Sequence, residues 1–516
     1  MNASRERMSP RTVAIAAAVA LALFTGCGDN DDNDAPAIDL LRLPALHAVA
    51  DPIHGGRFVD DAGRHVILRG VNVNGFVEYW QGTPFPTTFP FSEEDAERIA
   101  AIGWNVVRLL TSWSRVEPEP GIYDEAYIDS LHAAVRTLEA QGIYSIIDLH
   151  QDAWGPTLAA RPDEVCGPST TPALGWDGAP GWATLDGGRS RCTPGQRELS
   201  PAVVGAFRAF WANASGPGNV GIRTRYTRML AHLAAGFAGD NAVAGFDVMN
   251  EPNSFTPSDE QGLALLHGEA WQAIRDAQAG IAGPGHVVIF EPTALWASFR
   301  VRPLDFPRDD NVAYAPHLYQ GGLDTGPLAP QFDDARADAA AFGGVPVLTG
   351  EWGSGPDRAA NPSDTYFRDH QRMQDEYLFG ATLWTWRESC GDPHKAADYL
   401  AGRTAYVWGE FEVDCRTNEI LGPRQELIDQ LTRGYVRAGP GRVVETVYDP
   451  ADGSLRAAGV DADAGTALLA FYPASIHGEP IVSATGLGGL RTQIAAGGNL
   501  LISATASGGS WTLTAR

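Results

Sequence analysis

The feature that most constrains this chain is an alternation of apolar strand patterns with helix patterns, repeated about eight times between roughly 60 and 435. ILRGVNV, NVVRLL and YSIIDLH are strand patterns of this kind, and Ser92 begins a helix with acidic residues in its first turn. Repeated strand–helix units imply parallel strands. We therefore predict an α/β fold closed into a (β/α)8 TIM barrel, with an open doubly wound sheet as the alternative. No GxGxxG motif opens a helix after the first strand, which disfavours dinucleotide binding.

The sequence changes character after about Gly439. Runs such as VVETVYD, TALLAFYP and LLISATA are short, alternate in polarity, and are separated by Gly, Asp and Pro. Such runs are typical of antiparallel strands. We predict a barrel domain over 51–436 and a small C-terminal antiparallel β-sandwich domain over 437–516.

The N-terminus predicts an export signal rather than a part of the fold. Three arginines precede the apolar stretch 13–24, which is too short for a comfortable membrane span. The sequence Thr-Gly-Cys then ends at Cys27 and resembles a bacterial lipobox, although Phe24 departs from the usual leucine. We predict a lipoprotein-type signal peptide over 1–27 with lipidation of Cys27, ordinary cleavage nearby being the alternative. An acidic tether follows over 28–50.

This leader predicts where the protein works. We expect an exported protein, either a cell-envelope lipoprotein or a secreted one, that contacts the membrane through its lipid anchor or its substrate. The formal net charge of −25 and the lack of any Lys/Arg run exclude a nucleic-acid binder. We further expect a monomer.

Four cysteines remain after Cys27, an even number that suggests two disulfides in an exported chain. Three pairings are possible. We favour Cys166–Cys192 and Cys390–Cys415, because each closes one Gly/Pro-rich segment. Metal ligation is the rival, but neither CxxC nor HxxxH spacing supports it.

Polar residues follow the apolar strand patterns, as they do at the active-site end of a barrel. Glu251 ends the fourth strand pattern and Glu351 the seventh, so the two would face each other across the mouth. Paired carboxylates are the working groups of glycosidases, one protonated and the other ionised. We assign Asp247 a structural role and regard Glu291 as a mimic of a catalytic strand end. The other candidates at this mouth are Arg108, Asp148, His150, Gln151, Asp152, Asn250, His317, Tyr319, Trp352, Trp384 and Trp386.

The order of NEP, HLY and GEW after strands four, six and seven resembles glycoside hydrolase family 5, a retaining family with a (β/α)8 barrel. The resemblance covers roughly 60 to 435. It implies that Glu251 is the acid/base and Glu351 the nucleophile. By the same resemblance Asn250 would bind the sugar 2-hydroxyl, Tyr319 would hydrogen-bond the nucleophile, and His317 would hold the acid/base region.

A narrower resemblance joins DLHQD, GAPGWAT, GFDVMNEP and the trailing β domain to endoglycoceramidases and their glycosylceramidase relatives. It implies that His150, Asp152 and Trp182 line the sugar pocket. Of Trp384 and Trp386, we expect one to be a sugar platform and the other to lie in the core, and we give Arg108 either an active-site or a structural role. The loop after strand one lacks the lysine that contacts sugar in that subgroup, which leaves the glycan preference open.

The expected activity is retaining hydrolysis of the β-glycosidic bond between a glycan and ceramide, without metal or cofactor. The alternatives are an endo-β-1,4-glucanase, which would need an open groove of tryptophan platforms, and a family 5 β-glucosidase acting on other glucosides such as steryl glucosides. A carbohydrate-binding lipoprotein that retained the barrel is the non-enzymatic alternative. The expected ligand is therefore a glycolipid or an oligosaccharide.

Overall fold

Eight parallel strands form a barrel in the computed structural model, which describes residues 43–283, 285–323, 325–356 and 365–516. Their order in the sheet is six-five-four-three-two-one-eight-seven, and a bridge between Tyr314 and Val347 joins strands six and seven. The predicted (β/α)8 barrel is thus confirmed. In chain order the barrel strands are Arg69–Phe76, Val106–Ser112, Tyr144–His150, Val243–Asp247, Val287–Phe290, Val312–Tyr314, Leu348–Trp352 and Gly380–Leu383.

Helices follow the strands and cover the barrel, and their caps follow from sequence. Ser92 and Asp95 form the predicted capping box, and the side chain of Asp124 accepts the backbone N–H of Tyr127. The helices of the described residues are Glu93–Ile102, Trp113–Val116, Glu125–Glu139, Pro201–Trp211, Ile222–Gly236, Pro257–Ala277, Trp296–Phe299, Ala329–Ala341, Tyr366–Tyr377, Pro393–Leu400, Gln425–Leu431 and Ala474–His477.

Two insertions leave the carboxyl end of the barrel, one after strand three and one after strand eight. The first contains the strand pair Thr171–Pro172 and Cys192–Thr193 and the short 3-10 helices Pro156–Leu158, Gly181–Ala183 and Arg197–Leu199. The second contains the hairpin Phe411–Asp414 and Glu419–Pro423. Each insertion is closed by one of the favoured disulfides, Cys166–Cys192 and Cys390–Cys415.

Two antiparallel sheets at the C-terminus form the second part of the fold. The four-stranded sheet consists of Arg442–Asp449, Ser454–Ala462, Val482–Thr485 and Gly509–Ala515. The other sheet contains Tyr435–Pro440, Ala467–Tyr472, Leu487–Ile494 and Leu500–Ala506. The buried Trp511 joins the two sheets, because its indole N–H donates to the carbonyl of Pro440 at 2.9 Å and its ring packs against Gly439.

Three early strands also belong to this second sheet, which has seven strands in all. They are Leu46–Val49, Arg57–Asp60 and Arg64–Val66, and the last of them pairs with Tyr435–Pro440. From the sequence we placed these residues in the tether and at the start of the barrel domain, whereas in the structure they are strands of the C-terminal sheet. Pairing with strands almost four hundred residues away depends on long-range contacts, for which a local pattern carries no signal.

The second part of the fold closes the amino end of the barrel. Asp375 pairs with Arg433 at 2.6 Å and with Arg69 of the first barrel strand at 3.3 Å, and all three side chains are buried. Tyr435 also donates its hydroxyl to the carbonyl of Gly103 at 2.9 Å. These contacts stabilise the end opposite to the predicted active site.

The predicted signal peptide, the lipidated Cys27 and most of the predicted tether lie outside the described residues. Within the described ranges, no helix combines the length and the apolar character that crossing a bilayer requires.

Candidate active site

Glu251 and Glu351 meet at the carboxyl end of the barrel. Glu351 belongs to strand seven, and Glu251 lies four residues after strand four. Their carboxylate oxygens, together with a ring nitrogen of His317, lie within 4.8 Å of one another. Retaining glycosidases hold their carboxyl groups about 5–5.5 Å apart, whereas inverting enzymes need about 6.5–9.5 Å. The separation in this chain therefore fits the retaining arrangement.

The two glutamates differ in exposure. The side chain of Glu351 is 7% exposed, whereas that of Glu251 is 23% exposed. Glu251 has a φ of 38°, a left-handed conformation that non-glycine residues adopt rarely, at functional sites among others. The side-chain amide of Gln151 donates to the carbonyl of Glu251 at 2.9 Å and helps to hold this turn. The acid/base candidate thus faces the opening, and the nucleophile candidate lies below it.

The buried guanidinium of Arg108 forms the floor of the site. It donates to Glu351 Oε1 at 3.1 Å, to Glu291 Oε1 at 2.9 Å and to Asn250 Oδ1 at 3.0 Å. It also contacts Asp247 at 3.0 Å. Arg108 therefore combines the two roles left open by the sequence, since it contacts the nucleophile candidate and holds the surrounding strands together.

Glu351 is held by a second donor, because the hydroxyl of Tyr319 donates to its Oε2 at 2.7 Å. With Arg108 on Oε1, each carboxylate oxygen has a donor, which fixes the orientation of the group. The predicted contact between Tyr319 and Glu351 is thus present in the structure.

His317 lies among three carboxylates. Its Nδ1 is 2.9 Å from Glu251 Oε1, and its Nε2 is 3.2 Å from Glu291 Oε1. Burial disfavours the imidazolium, but the surrounding carboxylates raise the pKa of His317 well above its ordinary value. Burial would raise the pKa of Glu251, yet the hydrogen bond and charge of His317, together with Arg197, lower it to about 2. These two shifts place the proton on the His317 ring, whose Nδ1–H donates to Glu251 Oε1.

Glu291 is not the isolated mimic that the sequence suggested, because it positions both catalytic candidates. Besides binding Arg108 and His317, it accepts the backbone N–H of Glu251 at 2.8 Å. Burial raises the pKa of Glu291 to about 7 and that of Asp148 to about 7. These carboxyl groups lie behind the site and support its geometry.

The sugar-binding candidates lie beside this centre. His150 Nδ1 is 2.7 Å from Asp148 Oδ2, and its ring stacks on Trp384 at 5.5 Å between centroids. Burial lowers the pKa of His150 well below its ordinary value, so the neutral ring donates from Nδ1 and accepts at Nε2. Asn250 donates one amide hydrogen to the carbonyl of Gln151 at 3.1 Å. Asp152 accepts from Arg197 at 2.7 Å.

Three candidate tryptophans lie away from Glu251 and Glu351. Trp386 is buried and donates its indole N–H to Asp95 Oδ1 at 2.9 Å, so it is the core member of the Trp384 and Trp386 pair. Trp182 donates to the carbonyl of Glu117 at 3.1 Å and packs edge-on against Trp113. In the described structure no contact joins Trp182 to Glu251 or Glu351. Trp352 likewise stacks on His370, outside the mouth.

The sequence analysis missed several residues that the insertions bring to the mouth. The guanidinium of Arg197 lies 4.1 Å from the ring centre of Trp176 and 3.8 Å from Glu251 Oε2. His394 and Trp408 come from the insertion after strand eight and lie beside Trp384. No periodic pattern marked these positions, because both insertions are irregular and rich in glycine and proline.

Among the residues that the structure describes, three groups of acidic and histidine side chains have a spacing that a metal ion would accept. They are Glu251–His317–Glu351, His150–Asp152–Asp177 and Glu388–Asp392–His394. Each contains a carboxylate that is already bound to a fixed cation of the protein, namely Arg108, Arg197 and Lys395 respectively. This arrangement favours hydrogen bonding to a polar ligand over metal coordination.

A (β/α)8 barrel with two carboxylates at this separation, on strands four and seven, defines the class of glycoside hydrolases. A family model described as Cellulase (glycosyl hydrolase family 5) matches residues 59–389, more than half of the chain. The chain belongs to glycosyl hydrolase family 5.

Relatives narrow the comparison further. The chain is 27% identical to Endoglycoceramidase I of Rhodococcus hoagii (strain 103S) over 335 residues, which cover 60% of this chain and 60% of that protein. A crystal structure of endogalactoceramidase has 34% identity and a TM-score of 0.80, covering 92% of this chain and all of that chain. The ganglioside GM3 complex of Endo-glycoceramidase II from Rhodococcus sp. has 25% identity and a TM-score of 0.66, covering 89% and 98%.

Proposed function

We propose that this protein is a retaining β-glycosidase that cleaves the bond between a glycan and ceramide, releasing sugar and ceramide. The observation that carries the proposal is the separation of the Glu251 and Glu351 oxygens, within 4.8 Å of each other. That separation suits attack by one carboxylate while the other protonates the leaving oxygen. The substrate class is supported by the relatives, which are named as endoglycoceramidases and an endogalactoceramidase.

In the first step, Glu351 attacks the anomeric carbon as the glycosidic oxygen departs. Arg108 and Tyr319 orient the attacking carboxylate through their hydrogen bonds of 3.1 and 2.7 Å. Glu251 gives the leaving oxygen the proton that it shares with His317 across 2.9 Å. The products of this step are ceramide and a glycosyl ester of Glu351.

In the second step, Glu251 removes a proton from a water molecule, which attacks the anomeric carbon and releases the sugar. Glu351 leaves as a carboxylate, and the proton returns to the pair formed by Glu251 and His317. Two displacements at one carbon give net retention of configuration. The residues named here perform both steps without a metal or cofactor.

We also propose that the protein is exported, as a monomeric cell-envelope lipoprotein or in secreted form. The leader sequence and the lipobox-like Cys27 support this, and two disulfides are stable in an oxidising compartment. A lipid anchor at Cys27 would hold the enzyme at a membrane that contains glycolipids. Mass spectrometry of the mature N-terminal peptide tests this, since an unmodified Cys27 would contradict lipidation.

The decisive test of function is a substrate panel with the purified protein in detergent micelles. The panel contains β-galactosylceramide, β-glucosylceramide, lactosylceramide, ganglioside GM3, cholesteryl β-glucoside and cellotetraose. We expect release of ceramide from at least one glycosphingolipid, and none by Glu351→Gln. Cleavage of cellotetraose or the steryl glucoside alone would refute the ceramide assignment.

A covalent label tests the assignment of the nucleophile. A 2-deoxy-2-fluoro β-glycoside of the sugar released from the panel should form a stable ester, because fluorine slows the second step more than it slows a first step driven by a good leaving group. Peptide mapping should locate this ester on Glu351. Labelling of Glu251 or Glu291 would contradict the assigned roles.

A further inference from the structure

The two insertions meet above the barrel next to the proposed catalytic pair. Arg197 of the first insertion lies 3.3 Å from His394 Nε2 of the second, and the ring of Trp176 packs edge-on against His394 at 4.8 Å. Each insertion is closed by its own disulfide. The proposed mechanism uses no residue of this junction, so its buried polar groups require another explanation.

Asp177 and Glu388 are the unusual members of this junction. Asp177 is 0% exposed, and neither of its carboxylate oxygens has a hydrogen-bond partner in the described part of the protein. Glu388 is 1% exposed; its Oε2 accepts the backbone N–H of Trp408 at 2.6 Å, whereas its Oε1 has no hydrogen-bond partner among the described residues. A buried carboxylate oxygen without a donor is costly to folding, and a bound ligand is one way to supply that donor.

Both carboxylates lie next to residues at the mouth of the site. Ligand atoms of Asp177, Asp152 and His150 lie within 4.8 Å of one another, and the backbone N–H of Asp152 donates to the backbone carbonyl of Asp177 at 3.3 Å. In the second insertion, one side-chain oxygen or nitrogen atom of each of Glu388, Asp392 and His394 lies within 4.8 Å of the others.

The chemistry of the junction suits sugar hydroxyls better than a cation. Arg197 already pairs with Asp152 at 2.7 Å, and Lys395 lies 3.5 Å from Glu388. A divalent ion would have to approach both of these positive groups. Hydroxyl groups donate to carboxylates without bringing charge, and the neighbouring Trp384 and Trp408 offer apolar faces for a sugar ring.

We propose that Asp177 and Glu388 are sugar-binding residues that accept hydroxyl groups of the glycone remote from its anomeric carbon, and thereby select the head group. The proposal rests on the proposed function for the location of the anomeric carbon at Glu351. It makes the junction between the two disulfide-closed insertions the part of the enzyme that distinguishes hexoses differing at C4 or C6.

Binding in an inactive background tests this inference separately from hydrolysis. Glu351→Gln is titrated by calorimetry with methyl β-galactoside, methyl β-glucoside and their 4-deoxy and 6-deoxy analogues. Asp177→Asn and Glu388→Gln are then added singly. Each added substitution should weaken binding of the preferred parent sugar by about 10- to 100-fold, the effect of losing a hydrogen bond to a charged group. One deoxy analogue lacks the hydroxyl group that the replaced carboxylate would accept. For that analogue, the same substitution should change binding by less than about twofold.

Glu410→Gln provides the matched control. Glu410 is also buried in the second insertion without hydrogen-bond partners for its side chain in the described structure, but the charge that acts on it is Arg424. Glu410→Gln should change the binding affinity of every sugar by the same factor. Equal weakening of every sugar by Asp177→Asn and Glu388→Gln, or no weakening, would overturn the inference, as would sugar binding that appears only with added Ca²⁺. Selective binding without hydrolysis in the wild type would instead refute the proposed function alone.

Discussion

Three glutamates surround His317, and replacing Glu291 decides which two are catalytic. Glu291 accepts hydrogen bonds from Arg108 at 2.9 Å and from the backbone N–H of Glu251 at 2.8 Å, and lies 3.2 Å from His317 Nε2. Its role in this arrangement is to position other groups. Glu291→Gln should therefore slow the reaction without removing any chemical step.

The size of the expected decrease in kcat/KM for Glu291→Gln follows from the hydrogen-bond donors that face Glu291. A glutamine offers one oxygen and one NH2 group, so one orientation opposes Glu251 N–H and the other opposes Arg108 and His317. In either orientation a buried donor loses its acceptor, which costs about 1–3 kcal/mol. If that loss falls on the transition state, kcat/KM decreases by about 10- to 100-fold. Removing a general acid costs about 10²- to 10⁴-fold, and removing a nucleophile costs more than about 10⁴-fold.

Azide distinguishes these cases, because it replaces a missing carboxylate. With a 2,4-dinitrophenyl β-glycoside, Glu351→Ala should give the α-glycosyl azide, since azide attacks directly from the face that the nucleophile used. Glu251→Ala should give the β-glycosyl azide, since azide attacks the glycosyl ester of Glu351 in place of activated water. Glu291→Ala should give neither. The anomer is identified by proton NMR.

Two outcomes would refute the assigned roles. One is a glycosyl azide formed by Glu291→Ala, which would make Glu291 one of the catalytic pair. The other is a loss of activity in Glu291→Gln as large as that in Glu351→Gln, with circular dichroism showing an intact fold.

Three further predictions follow from individual contacts. Tyr319→Phe removes the 2.7 Å hydrogen bond to Glu351 and should lower kcat about 10- to 100-fold with an unchanged circular dichroism spectrum; an unchanged kcat would contradict the contact. Burial raises the pKa of Glu410 from 4.5 to about 8, so its contribution to stability is present below pH 4.5 and lost as pH rises through 8. Between pH 5 and pH 8.5, the free energy of unfolding measured in urea should decrease less for Glu410→Gln than for the wild type. Equal decreases would contradict this prediction. Replacing Cys166 and Cys192 by serine should destabilise the protein by about 3 kcal/mol in urea unfolding, because the disulfide closes a segment with a sequence separation of 26; an unchanged midpoint would contradict this.

The meeting of Glu251 and Glu351 was predictable because its signals are local. Glu251 and Glu351 each follow an apolar strand pattern, and in a barrel of parallel strands all such ends meet on one face. His317 and Tyr319 were predictable for the same reason. Glu291 was seen as a strand end, but its role depends on contacts with His317 and Glu251 N–H, which the sequence does not reveal.

The sugar side of the mouth was predictable only in part. His150 ends strand three and Asp152 follows it by two residues, so strand position predicted that both lie at the mouth of the barrel. Trp182 lies in the irregular insertion, and its indole N–H donates to the carbonyl of Glu117 instead of facing Glu251 and Glu351. Arg197 and Trp176 reach the mouth because the insertion folds back on itself, and no repeating pattern encodes such a path.

The sequence by itself determined the eight strand–helix units and the end of the barrel at which the polar residues meet, and it favoured the two cysteine pairs that the structure joins. These follow from hydrophobic periods and spacings within short segments. Only the tertiary structure decided that the strands from 46 to 66 belong to the C-terminal sheet, that Glu291 holds Glu251, and that Asp177 lies next to His150 and Asp152. Such contacts join segments far apart in the chain, and the complete packing of the fold selects them.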